Sequence, residues 1–104
     1  MARNRIELWG RMLGEPELRT TPAGTSVLRI TVDAGDGPGD LALAVVMTGE
    51  AAQRLRPDLK AGTEVVVKGS LKAVRRRLKS GLIEVEYEVM ADSIETEDFG
   101  QRKD

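Results

Sequence analysis

"LKAGTEVVVKGSLKAVRRRLKSGLIEVEYEV", residues 59–89, decides how the chain is read. Gly62 opens an apolar run, Val65-Val66-Val67, that continues into alternation to about residue 74. A second alternating run, Glu84-Val85-Glu86-Tyr87-Glu88-Val89, lies within a strand from about 82 to 91. Lys79-Ser80-Gly81 between them reads as a turn. A turn there sets Arg76 opposite Glu84 and Lys72 opposite Glu88. Opposite charges across strands stabilise a sheet by ~0.2–1 kcal/mol per pair. Arg75 and Arg77 fall on the other parity, and Lys79 sits in the turn itself. The stretch therefore predicts a hairpin pinned at its base by Glu84 and Glu88, with a basic tip. Tyr87 shares parity with Val85 and Val89, which predicts that it faces the core.

The rest of the chain supplies partners for this hairpin. Residues 4–12 alternate, with Ile6, Leu8 and Met12 on one face and Arg5, Glu7, Trp9 and Arg11 on the other. Gly10 reads as a bulge or bend. "LGEPELRTTPAGTS" (13–26) reads as a connecting segment with a Pro-Ala-Gly turn. Residues 26–33 alternate again, with Leu28, Ile30 and Val32 inward and Val27, Arg29 and Thr31 outward. "AGDGPGD" (34–40) is a loop, and residues 41–47 form an apolar third strand. Residues 50–56 form a short helix that Pro57 limits. Five strands with one short helix between the third and fourth is the element order of an all-β, OB-fold barrel. The expected domain is residues 1–97, followed by a disordered polar tail, 98–104.

Composition narrows the chemistry. The chain has 104 residues, no cysteine and no histidine, which removes disulfides, thiolate sites and imidazole-based acid–base or zinc chemistry. "GDGPG" (35–39) lacks the Lys-Ser/Thr and helix of a phosphate loop, and Asp33, Asp36 and Asp40 lack EF-hand spacing. No enzyme, metal site or cofactor is expected. No leader-like or membrane-spanning run is present in the sequence, so a cytoplasmic protein is expected. The net charge is −1, but no acid lies between Glu64 and Glu84. Lys68, Lys72, Arg75, Arg76, Arg77 and Lys79 fall in that interval, leaving 10 basic against 17 acidic residues elsewhere. A basic element on an acidic body points to an anionic partner.

"NRIELWG" (4–10), "EPELR" (15–19), "TPAGTSVLRITVD" (21–33), "LKAGTEVVVKGSL" (59–71) and "SGLIEVEYEV" (80–89) follow one another as in bacterial single-stranded DNA-binding proteins. Over residues 3–97 the chain resembles that family, and most closely primosomal replication protein N, the PriB type. The ending Gln-Arg-Lys-Asp differs from the acidic, phenylalanine-ended tip of ordinary members and favours the PriB-type reading. The resemblance implies an OB-fold homodimer that binds single-stranded DNA without catalysis. It also implies work beside a replication-restart helicase or other primosome proteins. One departure stands out. Where the family places base-stacking aromatics, this chain has Leu41-Ala42-Leu43-Ala44.

The candidate nucleic-acid-binding residues are Lys72, Arg75, Arg76, Arg77 and Lys79 on the hairpin, extended by Arg5, Arg11, Arg29 and Lys68 at outward positions. Trp9 is the only tryptophan. On an otherwise polar face it either stacks a base or packs in a subunit interface or under a loop. Outward Val27 and Val46 are expected to be covered by a second copy. The rival reading, kept open by the missing aromatics, is an OB-fold interaction module that docks a replication partner without touching DNA.

Overall fold

The computed structural model describes residues 3–37 and 39–97, so the expected tail at 98–104 lies outside the described residues. Five strands, β1 (Ile6–Thr20), β2 (Ser26–Asp33), β3 (Ala42–Thr48), β4 (Glu64–Arg77) and β5 (Ile83–Glu97), close in the order β1-β2-β3-β5-β4. Helix α1 (Glu50–Leu55) lies between β3 and β4 and runs into a 3₁₀ turn, Arg56–Asp58, that carries Pro57. This is the OB-fold barrel that the alternation predicts. Closure leaves one edge-to-edge contact that is parallel, between β3 and β5; every other strand pair is antiparallel.

The inward parity of each strand fills the barrel. Leu8 and Met12 of β1, Leu28, Ile30 and Val32 of β2, Val45 and Met47 of β3, Val65 and Val67 of β4, and Val89 and Ile94 of β5 are buried together. Ala52 of α1 and Leu59 complete the cluster. The helix start is tied to β2: Gly49 N–H donates to the Ser26 carbonyl at 2.9 Å, and Gln53 Nε2 donates to Ser26 Oγ at 2.6 Å. Among the described residues, no helix is long and apolar enough to cross a membrane.

β1 departs from expectation. It runs on through 13–20 as strand, pairing with β4 over residues 6–11 and with β2 over 11–20. The β1–β4 register passes Gly10 unbroken, so Gly10 is not a bulge. A Cβ there would collide with the Asp33 carbonyl, because this is where one strand serves both neighbours. The irregularity falls instead between Leu13 and Glu17, where Gly14 has a φ of 71°. The Pro-Ala-Gly turn is confined to 21–25, closed by Gly24 N–H to the Thr21 carbonyl at 2.8 Å.

β4 and β5 form the longest ladder, with a shift between Lys68↔Ser93 and Gly69↔Ala91 that leaves Asp92 over. The shift lets Val89 and Ile94, of opposite parity, both face the core. Gly69 faces the Met90 carbonyl at this point, closer than any side chain permits. Beyond Leu71 on one side and Glu88 on the other, no third strand pairs with the ladder among the described residues. Asn4 seals the base of the arm, its Nδ2 donating to the Leu71 carbonyl at 2.6 Å and its Oδ1 accepting from Leu71 N–H at 2.9 Å. Residues 72–87 are thus a free-standing hairpin arm, and the molecule measures 56 × 35 × 33 Å.

Two outcomes test this frame. Gly69→Ala is expected to lower stability by about 1–3 kcal/mol, the usual cost of overpacking, in urea denaturation followed by circular dichroism. The second concerns the β2–β3 loop, where Asp33 accepts from Gly39 N–H at 2.9 Å and Gly35 N–H at 3.3 Å. The amides of Gly39, then Gly35 and Leu41, hold its carboxyl below the ordinary aspartate range, against an opposing push from desolvation. A depressed folded pKa gives stability that is present above the unfolded value and lost as pH falls through the folded one. Asp33→Asn should therefore narrow the stability gap to the parent below about pH 4, where the parent loses its advantage.

Candidate nucleic-acid interface

The hairpin arm has two chemically different faces. Paired residues of antiparallel strands project to the same side, so register assigns each residue to a face. Lys72↔Glu88, Val74↔Glu86 and Arg76↔Glu84 share one face; Ala73↔Tyr87, Arg75↔Val85 and Arg77↔Ile83 share the other. Both predicted cross-strand pairs, Arg76 with Glu84 and Lys72 with Glu88, hold in the backbone register. The side chains choose other partners instead. Arg76 Nη2 meets Glu86 Oε2 at 3.3 Å, and Glu88 Oε2 accepts from Arg29 Nη1 on β2 at 3.0 Å.

The second face carries no acid. Arg75 and Arg77 rise from β4 beside Ile83, Val85 and Tyr87 of β5. Neither arginine, nor Lys79, makes an ion pair among the described residues. Tyr87 is 56% exposed, which corrects the expectation that it is core. Its parity is the inward one, but the arm has left the barrel before Tyr87 is reached, so among the described residues no third strand pairs alongside it. Ile83 and Val85 are exposed for the same reason, and Leu82 at the tip is 67% exposed. The turn itself falls where expected, with Gly81 N–H donating to the Leu78 carbonyl at 2.9 Å and Gly81 at φ 92°. A row of exposed apolar side chains with an aromatic ring, flanked by unneutralised guanidiniums, can take up a flat apolar group and an adjacent anion together.

Trp9 lies on another sector, the outer surface of β1, β4 and β5, level with Val66 and Glu95. It is 61% exposed, yet Val66 beside it is buried. Trp9 Nε1 donates to Glu7 Oε1 at 3.0 Å, Lys68 Nζ lies 3.9 Å from Glu7 Oε2, and Arg11 Nη2 lies 3.0 Å from Glu64 Oε1. Two candidate cations, Arg11 and Lys68, are thus paired to carboxylates on this sector. Arg5 is exposed beside a shallow pocket with Ile6, Glu7, Lys68 and Gly69. The ten candidates do not form one track: Arg5, Trp9, Arg11 and Lys68 sit on the Trp9 sector, Arg29 on β2, and the other five on the arm.

Two residues escaped the sequence reading. Tyr87 did because parity alone places it in the core; the strands that carry it past the barrel, 14 and 15 residues long, extend beyond the runs that alternation marks. Arg19 did because residues 13–20 read as a connection; it lines a groove with Glu17, Val27, Arg29 and Arg76. Val46 corrects a further expectation: at 7% exposed, between Arg29 and Met90 in register, it needs no second copy to cover it. Asp33 and Asp40 spend their carboxylates on loop amides, and no cluster suited to a metal ion occurs among the described residues.

Comparison with known proteins agrees with this architecture. A curated relative, the single-stranded DNA-binding protein of Paenarthrobacter aurescens, is 30% identical over 104 aligned positions, which take in 86% of this chain. The chain matches 61% of that relative's length. The model of the single-strand binding protein family matches residues 3–96, from just before β1 to the end of β5, and the chain belongs to that family.

Proposed function

We propose that this chain binds single-stranded DNA without sequence preference, along the acid-free face of the β4–β5 arm. The observation that carries this reading is the segregation of the arm. All its carboxylates lie on one face, while Arg75 and Arg77 share the other with Tyr87, Val85 and Ile83. A single strand offers unpaired bases and a phosphate at every step, and this face matches both. Tyr87 gives bases a ring to stack on, while Arg75, Arg77 and Lys79 neutralise phosphates. Family membership and the name of the bacterial relative support the same reading. With one ring on this face, affinity rests on phosphate contacts more than on stacking, and binding is steeply salt-dependent.

The Trp9 sector favours a second role. Its cations Arg11 and Lys68 are already met by Glu64 and Glu7, so it attracts phosphate poorly, while the Trp9 ring stays exposed. An aromatic anchor inside a ring of satisfied polar groups suits a protein interface. The homodimer forms here, and a PriB-like task in replication restart, beside a helicase or other primosome proteins, is the finer reading of the resemblance.

Each part has its own measurement. Changing Arg75, Arg77 and Lys79 together to Ala should make the slope of log K against log salt shallower by ~2 for oligo-dT, at ~0.7 per phosphate. Tyr87→Ala should weaken binding by ~1–3 kcal/mol and leave the slope unchanged. An untouched slope in the triple variant, with a much lower melting temperature, would make the basic stretch a strand-pairing device. For the interface, sedimentation equilibrium at tens of micromolar should give a dimer for the parent and a monomer for Trp9→Ala, with affinity per subunit retained. Loss of affinity with the dimer intact would assign Trp9 to the strand instead.

A further inference from the structure

The groove on the other side of the arm holds as many cationic side chains as the proposed binding face, yet it is electrically quiet. It encloses about 370 Å³ and is lined by Arg19, Arg29 and Arg76 around Val27, with Glu17 at its wall. Each guanidinium has a carboxylate of its own. Arg29 is bonded to Glu88 at 3.0 Å, Arg76 to Glu86 at 3.3 Å, and Arg19 lies 3.9 Å from Glu17. Guanidinium recognises carboxylate and phosphate with the same planar fork. Among the described residues the other cations of the arm, Lys72, Arg75, Arg77 and Lys79, make no ion pair.

We infer that this groove is a masked phosphate track, in which Glu86 and Glu88 occupy the positions of phosphodiester oxygens and confine a bound single strand to the opposite face of the arm. The inference rests on the reading that the chain binds single-stranded DNA. The masking follows from tethering. A phosphate entering the groove exchanges one anion for another at the same guanidinium, which gains little. The displaced carboxylate then stays beside it. The Glu88 side chain is only 17% exposed, and its backbone lies level with Ala44 of β3, which restricts its movement away from Arg29. Like charges at close range then oppose the phosphate. Negative charge at Glu86 and Glu88 thereby acts as a determinant of path: it discriminates against a strand on this side while leaving the sheet intact.

Salt titration of oligo-dT binding reads the mask directly. Glu86→Gln and Glu88→Gln each free a guanidinium, so each should tighten binding at low salt and steepen the slope by ~0.7; together they should steepen it by ~1.4. Glu84→Gln is the control. It removes the same charge from the same row but has no ion pair among the described residues, so its line should run parallel to the parent's. Adding Arg29→Gln to Glu88→Gln should abolish that variant's gain. Glu86, whose side chain is 44% exposed, keeps the test open if the Glu88 variant melts early. If the parent binds and the Gln variants only shift in parallel with Glu84→Gln, the mask is refuted and the proposed function stands. If neither parent nor variants bind at ~50 mM salt, the DNA-binding reading itself fails, and the mask with it.

Discussion

The antiparallel ladder joining β4 to β5 is the constraint on which the rest depends. It runs from Glu64↔Glu97 inside the barrel to Arg77↔Ile83 beyond it, and so belongs both to the core and to the exposed arm. Its one irregularity, opposite Gly69, corrects the parity of β5 so that Ile94 and Val89 both face inward. Without that extra residue, one of the two would point to solvent, because a one-residue slip flips every later side chain. The same correction fixes which arm residues share a side with Tyr87 and which share a side with Glu86. A packing requirement in the core therefore sets the chemistry of the arm some way outside it.

The arm answers the question that its sequence poses. Acidic and basic residues lie together because the same hairpin carries two surfaces of different charge. On one, carboxylates meet the guanidiniums of Arg29 and Arg76; on the other, Arg75 and Arg77 stand among apolar side chains. Exposed ion pairs contribute little to stability. Their consequence here is where the potential remains: an almost neutral groove on one side, and an unneutralised strip on the other. Total charge, at −1, conceals both.

The barrel keeps its other exposed aromatic apart from this strip. Trp9 lies level with Val66 and is bonded to Glu7, on a sector where Arg11 and Lys68 already have acidic partners. The two surfaces thus lie on different sectors of the molecule. The helix and its 3₁₀ extension close the bottom of the barrel through Ala52 and Leu59, away from both.

Alternation by itself determined the number and order of the strands, the inward set Leu28, Ile30 and Val32, and the place of the helix before Pro57. Turn chemistry at Lys79-Ser80-Gly81 determined the register that sets Arg76 against Glu84 and Lys72 against Glu88. These are local matters: period two and a glycine at positive φ are written in neighbouring residues. Whether a given face is covered is not local. Tyr87 has the parity of the core and is exposed, while Val46 has the parity of the surface and is buried. Parity names the side of a sheet; only strands distant in sequence decide what lies against it. The partner of Glu88 is of the same kind. Arg29 is 59 residues away, and reaches it only because closing the barrel sets β2 and β5 on either side of β3.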